Sequence, residues 1–423
     1  MTQRNASFDI YLNTFDTGII HAASAVLVED NHRLRQFAFR YTLAYLNHPK
    51  AFSLHPHFPL QIGNFQQACI GLPGILDDYL PDAWGRRVLA KIAHHKHQIR
   101  LDENSPIDLL SYLSKAHIGA LQWCSANALP SFNLGNHIGS VDLTEAVSVY
   151  IDDPKSQNDP MFQHLYLANS GSGAGGARPK ALFYDDEHAW LAKFNRKQDE
   201  YDNATVELSM LRLANALDLC VGNGTVIQTQ SSRPTLLLER FDVTNDLQHR
   251  YHLISVNSLL KNNVSFEDKG GAFRYDDIAE IIQHHSYNVE RDLEQLLRQM
   301  LFNSTINNTD DHERNFSFII DHKGYALSPA YDMVPSLTVG EYPNASFEYS
   351  PFLPKATDLA NNPRKVFGLS KGTVEAIAEQ IATAPLLWPQ IAQEVGVVES
   401  DCEKIIQYAM PNITFGSSFG PAM

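Results

Sequence analysis

The feature that most constrains this chain is a polar segment in which an aspartate precedes an asparagine by five positions, with a further aspartate downstream. The segment reads Asn308-Thr309-Asp310-Asp311-His312-Glu313-Arg314-Asn315, and the later residue is Asp332. Carboxylate and amide oxygens are hard ligands that suit Mg²⁺, and a carboxylate can accept a proton from a hydroxyl group. A fold for this chain is therefore expected to bring Asp310, Asn315 and Asp332 to one site.

The same order and spacing occur in protein kinases, where Asp-x-x-x-x-Asn is followed by a second Asp. By this interpretation Asp310 accepts the hydrogen bond of a substrate hydroxyl, while Asn315 and Asp332 bind magnesium. Asp311 is a rival base, although it lies one residue too close to Asn315. The alternative is a polar loop of turn-forming Asn and Asp residues. Asp332 favours the kinase interpretation because it follows a strand-like run, Tyr325-Ala326-Leu327.

A glycine-rich segment is the second informative feature, since Gly171, Gly173 and Gly176 satisfy Gly-x-Gly-x-x-Gly. A dinucleotide-binding fingerprint needs a helix after the glycines, and a Walker A loop needs Gly-Lys-Ser/Thr. This chain has neither, because Ala177-Arg178-Pro179-Lys180 leads into two strand-like runs separated by a turn at Asp185-Asp186-Glu187-His188. The order predicts a kinase-type flap whose bare main-chain N–H groups approach phosphates. A flexible loop is the alternative.

Charged residues after the glycines fit the same interpretation. Lys193 lies on the second strand-like run, where kinases place the lysine that neutralises nucleotide phosphates. Lys180 is a second candidate, and the alternative for either is a solvated strand lysine. Glu207, on the helix that follows, is expected either to pair with Lys193 or to be exposed. Glu239-Arg240-Phe241 ends a buried strand and is interpreted as a hinge whose main chain binds adenine, or as an ordinary strand exit.

Composition restricts the protein class. Hydrophobic residues make up 44% and charged residues 19%, without a long apolar run, which is typical of soluble globular proteins and excludes a membrane span. Lys+Arg 33 against Asp+Glu 48 gives a net charge of −15, which opposes nonspecific binding to nucleic-acid phosphates. No Cys-x-x-Cys pair and no apolar signal segment occur, so a cytoplasmic protein is expected, with reduced cysteines at Cys69, Cys124, Cys220 and Cys402.

The expected fold class is α+β, with a small N-terminal α+β domain followed by a kinase-like bilobal domain whose C-lobe is largely helical. The boundaries predicted from composition and periodicity are 1–126 for the N-terminal domain, 137–245 for the kinase N-lobe and 246–423 for the C-lobe. Apolar periodicity predicts helices over Tyr275 to His285, Arg291 to Asn303, Val374 to Thr383 and Asp401 to Met410.

Several of these segments, taken together and in order, resemble the HipA family, the toxin kinases of HipA-HipB type toxin-antitoxin modules. The resemblance covers most of the chain and is far more specific than any single motif. The segments are Leu80 to Arg87, His117 to Leu121, Gly175 to Lys180, Lys193, Glu239 to Asp242, Asn308 to Asn315 and Pro329 to Asp332.

The resemblance implies ATP and Mg²⁺ as cofactors and assigns roles to individual positions. Asp310 is implied as the catalytic base, and Asn315 and Asp332 as the magnesium ligands. The residues implied to surround ATP are Gly175, Gly176, Ala177, Arg178, Pro179, Lys180, Lys193, Glu239, Arg240, Phe241, His312 and Tyr331. One departure concerns a regulatory serine of the best-known member, because Gly173 stands at that position, with Ser170 and Ser172 nearby.

The resemblance also implies partners. The family phosphorylates serine or threonine of proteins, with an aminoacyl-tRNA synthetase the best-known type of target, and so blocks translation. A small HipB-like helix-turn-helix antitoxin neutralises the kinase and carries it to operator DNA, and no membrane is involved. Two other interpretations stay open from the residues alone: a small-molecule phosphotransferase, and a catalytically weak nucleotide-binding scaffold in an antitoxin-DNA repressor complex.

Overall fold

The computed structural model describes most of the chain. The described residues are 3–81, 85–86, 89–90, 93–94, 98–113, 116–141, 180–196, 199–229, 234–261, 273–338, 341–357 and 362–410. The chain forms two compact units. The first unit comprises Met1–Asp199, Gly222–Gly271 and Phe316–Ser328, and the second comprises Glu200–Val221, Ala272–Asn315 and Pro329–Met423.

The described strands all belong to the first unit. In chain order they are β1 (Gln3–Thr14), β2 (Gly18–Asp30), β3 (Arg33–Tyr41), β4 (Phe65–Ala68), β5 (Leu121–Ser125), β6 (Asn136–His137), β7 (Lys180–Tyr184), β8 (Ala189–Phe194), β9 (Gly224–Gln228), β10 (Pro234–Glu239), β11 (His252–Ser255), β12 (Ser317–Asp321) and β13 (Gly324–Leu327).

The described α-helices are divided between the units. They are α1 (Leu43–Leu46), α2 (Gly74–Asp77), α3 (Pro106–Tyr112), α4 (Asn203–Ala216), α5 (Val256–Leu260), α6 (Tyr275–His285), α7 (Val289–Thr305), α8 (Asn362–Phe367), α9 (Lys371–Ala382), α10 (Ala384–Val395) and α11 (Glu399–Tyr408). Helices α1, α2, α3 and α5 lie in the first unit and the others in the second. No helix among the described residues is long and apolar enough to cross a membrane.

The first unit contains three sheets. A five-stranded antiparallel sheet has the order β4-β3-β2-β1-β5. Apolar and polar residues alternate along β1, so Phe8, Ile10 and Leu12 are buried on one face of this strand. A second sheet has the order β6-β7-β8-β10-β9, and a third has the order β11-β12-β13. The β7–β8 connection confirms the predicted hairpin, since Asp185 Oδ1 accepts hydrogen bonds from the main-chain N–H groups of Glu187 and His188.

The described part of the second unit is built from helices, of which α4 is buried on almost all sides and others, such as α7, bury one apolar face. In α7 the buried residues Leu293, Leu296, Leu297 and Met300 recur at helical spacing. Trp388 on α10 is fully buried and donates its indole N–H to Ser209 Oγ on α4 at 3.0 Å. The predicted α+β class and the helical C-terminal region are confirmed. The predicted boundaries at 126, 137 and 245 stay a prediction.

Candidate active site

Asp310 lies in the second unit, in the loop after α7, with its side chain 80% exposed. Three asparagines hold it. Asn308 Oδ1 accepts from the Asp310 main-chain N–H at 3.2 Å, and Asn315 Nδ2 donates to the Asp310 carbonyl oxygen at 2.6 Å. Asn344 Nδ2 donates to Asp310 Oδ1 at 3.2 Å. The main chain and the carboxylate of Asp310 are therefore both fixed, while most of the carboxyl surface faces solvent.

Asn315 is oriented by the same contacts. It ends a short 3₁₀ turn, Glu313–Asn315, and its main-chain N–H donates to His312 O at 2.9 Å. Its side chain is 7% exposed, and the amide nitrogen is used by the bond to the Asp310 carbonyl. Because the amide group is planar and two-sided, its oxygen is directed away from that bond, as a metal ligand requires.

Asp332 is joined to the loop through Asn308, whose side-chain nitrogen approaches the Asp332 carbonyl oxygen at 3.5 Å and donates to Asn303 Oδ1 at 3.1 Å. The φ angle of Asp332 is 56°, in the left-handed region that costs a non-glycine residue about 1–3 kcal/mol. Such backbone conformations cluster at functional sites, where surrounding contacts hold a side chain in a required direction.

Asp311 is buried, whereas the adjacent Asp310 is exposed. Its side chain is 1% exposed, accepts from the main-chain N–H of Ala345 at 3.0 Å and accepts from the Tyr275 hydroxyl at 3.0 Å. Burial raises the pKa of Asp311 to about 6, although these two hydrogen bonds oppose the shift. A substrate hydroxyl cannot reach so enclosed a carboxyl group, so the geometry favours Asp310 over Asp311 as the base.

His312 and Tyr331, which the family resemblance implies as ATP contacts, both lie at the Asp310 loop. His312 Nε2 lies 4.0 Å from Asp310 Oδ1, and its Nδ1 accepts from the Arg314 main-chain N–H at 3.2 Å. Tyr331 donates its hydroxyl to the Arg314 carbonyl oxygen at 3.0 Å, which ties the residue before Asp332 to the 3₁₀ turn. The second unit thus brings together Asp310, His312, Asn315, Tyr331 and Asp332.

The first unit presents the two candidate lysines side by side. Lys180 on β7 and Lys193 on β8 are direct antiparallel partners, so both side chains point to the same face of the sheet. Lys193 lies on the central strand β8, is 6% exposed and is also paired with Leu236 of the neighbouring strand β10. Two lysines at one cross-strand position bring two positive charges together, which suits a polyphosphate. The sequence left these lysines as alternatives, and the sheet makes them neighbours.

In the predicted hinge, Glu239 to Phe241, the side chain of Arg240 has a structural role. Arg240 forms a two-point pair with Asp242, with Nε to Oδ1 at 3.0 Å and an NH2 nitrogen to Oδ2 at 2.7 Å, and also donates to the carbonyl oxygens of His117 and Leu134. Burial is the largest single influence and acts to raise the pKa of Asp242, but Arg240, Arg250 and the main-chain N–H of Gly119 together outweigh it, so the pKa is lowered. A nucleotide contact here would use main-chain atoms.

The main-chain N–H groups of Glu239 and Arg240 are also occupied, by Asn223 O at 2.9 Å and Ala189 O at 2.8 Å. Phe241 is partly exposed at the strand exit. Glu207 on α4 is 3% exposed, so the expectation of an exposed helix glutamate is wrong. The predicted phosphate loop, including Gly175, Gly176, Ala177, Arg178 and Pro179, lies outside the described residues.

Family models match two long stretches of the chain. Residues 172–413 match the HipA-like C-terminal domain, and residues 10–124 match the HipA N-terminal domain. The chain belongs to the HipA family. The resemblance seen in the sequence motifs is thereby confirmed, and the first match includes Lys180, Lys193, Asp310, Asn315 and Asp332.

Individual relatives of this HipA-family chain are distant. A putative kinase, Y4mE of Sinorhizobium fredii, is 28% identical over 159 residues, which cover 36% of this chain and only 37% of that relative. The HipA of a Shewanella oneidensis MR-1 complex with HipB and operator DNA has a TM-score of 0.66 at 20% identity, covering 95% of each chain. The Helicobacter pylori kinase CtkA has a TM-score of 0.40 at 14% identity, covering 56% of this chain and 90% of its own. The Shewanella structure shows a shared fold.

Two further residues of this HipA-family site were missed from sequence. Asn308 precedes Asp310 by two positions, a spacing at which an Asx side chain accepts a main-chain N–H, so a local signal existed. Asn344 is 34 positions away and carries no local signal. Its contribution depends on the path of the chain after Asp332.

Proposed function

We propose that this HipA-family protein is the toxin of a toxin-antitoxin module and acts as a Mg²⁺- and ATP-dependent serine/threonine protein kinase. One observation carries the proposal: Asn308, Asn315 and Asn344 hold Asp310 while its carboxylate stays exposed, and Asn308 also approaches the Asp332 carbonyl oxygen. A structural loop would bury such a carboxylate or leave it untethered. Growth arrest would follow from phosphorylation of a cytoplasmic translation enzyme, with an aminoacyl-tRNA synthetase as the first candidate.

The donor set at Asn315 and Asp332 fits magnesium. Magnesium in nucleotide sites is bound through one or two carboxylates plus substrate phosphates, with water completing the coordination. Asn315 and Asp332 would hold the ion, and their neutral amide and anionic carboxylate leave it a net positive charge toward the phosphates. When bound, magnesium supplies neutralisation of the charge that develops on the transferring group.

Lys180 and Lys193 would bind the phosphates of ATP, together with the glycine segment that precedes Lys180. Each lysine neutralises negative charge, and their direct pairing across β7 and β8 concentrates both charges at one place. In the first unit, main-chain carbonyl groups of Glu239 to Phe241 would contact adenine. In the second unit, His312 and Tyr331 beside Asp310 are the ATP contacts that the family resemblance implies. Arg240 would stabilise the segment Glu239 to Phe241 through its buried ion pair with Asp242.

Asp310 orients the attacking group. Its carboxylate accepts the hydrogen bond of a serine or threonine hydroxyl and directs the oxygen at the γ-phosphorus. A new bond forms between that oxygen and phosphorus, the bond to the β–γ bridging oxygen breaks, and ADP leaves with the electron pair. The hydroxyl proton passes to Asp310. Because phosphoryl transfer depends mainly on positioning and charge stabilisation, a fixed carboxylate suits this reaction.

A HipB-like helix-turn-helix antitoxin is the proposed partner. The net charge of −15 is unfavourable for direct binding to DNA phosphates, so contact with operator DNA would go through a basic antitoxin. The assembly of the Shewanella protein with HipB and operator DNA supports this part of the proposal.

Transfer of labelled γ-phosphate from ATP into fractionated cell extract tests the activity, with Asp310→Asn as the matched inactive variant. We expect a protein band labelled on serine or threonine by the wild type only. Label in a metabolite instead would identify a small-molecule phosphotransferase. ATP binding without any transfer, but with tight antitoxin binding, would identify a scaffold.

A further inference from the structure

Asn344 contacts the catalytic loop at three points. Its side-chain nitrogen donates to Asp310 Oδ1 at 3.2 Å and to the Thr309 carbonyl oxygen at 3.0 Å. Its main-chain N–H donates to the same Thr309 carbonyl at 3.0 Å. Both hydrogens of one amide group are therefore directed at adjacent residues of the loop, one of them at the carboxylate that the proposed reaction uses.

The segment that carries Asn344 is itself firmly attached. The next residue, Ala345, donates its main-chain N–H to the buried carboxyl of Asp311 at 3.0 Å. Glu341 Oε2 accepts from the hydroxyls of Thr309 and Ser336, each at 2.9 Å. Asn344 is thus held from both sides, and its amide approaches Asp310 from a fixed direction.

A fixed donor matters because packing alone does not determine the rotamer of a side chain that is 80% exposed, as that of Asp310 is. A hydrogen bond to Oδ1 fixes the plane of the carboxylate, and with it the direction in which Oδ2 meets a substrate hydroxyl. This orientation serves a base that must be correctly aimed before the substrate arrives.

We propose that Asn344 is a positioning residue for catalysis, which orients the Asp310 carboxylate. This inference rests on the proposed kinase function of Asp310. It adds a residue from a third segment of the chain, 12 positions after Asp332, to the machinery of the Asp310 loop.

The sharpest test uses Asn344→Asp, which keeps the side-chain shape but replaces the donor –NH₂ by an acceptor oxygen and adds a negative charge beside Asp310, together with Asn344→Ala. Steady-state phosphorylation of the extract substrate, or of a peptide from it, gives kcat and the KM for ATP. We expect kcat to fall about 10- to 100-fold in Asn344→Ala, because misplacement of a reacting group costs rates of this order. Asn344→Asp should fall further, while the KM for ATP stays within about threefold in both.

Ser336→Ala serves as the matched control. It removes the hydroxyl bond from Ser336 to Glu341, and so loosens the segment that carries Asn344, but leaves the Asp310 loop and the Asn344–Asp310 contact in place. We expect its kcat to stay within about threefold of wild type. A kcat as low in Ser336→Ala as in Asn344→Ala would overturn the positioning role, because general loosening would then explain the loss.

The split between kcat and KM, read together with the melting temperature, separates positioning from a purely structural role. A structural role would lower the melting temperature together with kcat, whereas a positioning role lowers kcat alone. No transfer by wild type would refute the kinase function, whereas active wild type with an unchanged kcat in Asn344→Ala would refute the positioning role alone.

Discussion

Replacing Asp311 by asparagine should change the pH dependence of stability and leave the reacting group in place. The buried carboxyl has a pKa raised from 3.8 to about 6, mainly by burial. The folded state therefore holds its proton more tightly than the unfolded state. The contribution of Asp311 to stability is fully present below pH 3.8 and is lost as the pH rises through 6.

The size of the effect follows from the shift. About two pKa units correspond to about 3 kcal/mol between the fully protonated and fully ionised limits. The asparagine side chain of the variant stays neutral at every pH and still offers one oxygen to the main-chain N–H of Ala345. We therefore expect Asp311→Asn to be about 2–3 kcal/mol less stable, relative to wild type, at about pH 4 than at about pH 7.5.

The assay is urea unfolding of wild type and Asp311→Asn at half-unit steps from about pH 4 to about pH 8. Groups that titrate in both proteins cancel in the difference, so its slope isolates Asp311. Asp310→Asn is the matched control, because that side chain is 80% exposed and its difference from wild type should be small and flat. A flat difference for Asp311→Asn, or a sloping one for Asp310→Asn, would refute the assignment of buried and exposed roles.

Three further predictions address other parts of the chain. Lys193→Met should reduce phosphoryl transfer about 100-fold, since a desolvated charge pair with phosphate is lost; unchanged kcat and KM for ATP would contradict its phosphate role. Burial lowers the pKa of His252 from 6.5 to about 4, so the contribution of neutral His252 to stability is present above pH 6.5 and lost as the pH falls toward 4. In urea unfolding, His252→Gln should therefore lose less free energy of unfolding than wild type on acidification, by about 3 kcal/mol. Asp242→Ala should destabilise the protein by about 3–5 kcal/mol because it leaves the Arg240 guanidinium buried without its partner, and a thermal midpoint equal to wild type would exclude that role.

Much of the fold could be predicted from local patterns. The helix predicted over Tyr275 to His285 is α6, and the other three predicted C-terminal helices occur within a few residues of α7, α9 and α11. Apolar residues at helical spacing carry this signal because each helix buries a single face. Helix α10 was missed since Pro385 and Pro389 interrupt the pattern, yet Pro385 occupies the first turn, where its missing N–H has no partner to lose.

The candidate site was predictable where its residues follow one another in sequence. Asn315 follows Asp310 by five positions, and its side-chain amide donates a hydrogen bond to the Asp310 carbonyl oxygen. Long-range contacts gave no such signal. Asn344 reaches Asp310 through tertiary folding, and the pairing of Lys180 with Lys193 depends on the register of β7 and β8. Their roles become visible only when the chain is folded.

The most direct test of the central claim is transfer of the γ-phosphoryl group of ATP to protein by the purified chain with magnesium, compared with Asp310→Asn. We expect a phosphoserine- or phosphothreonine-containing product with wild type and a loss of at least about 100-fold in the variant, with an unchanged melting temperature. Equal transfer by the two proteins would contradict the assignment of Asp310 as the base. Absence of transfer by wild type, despite bound ATP, would contradict the kinase proposal itself.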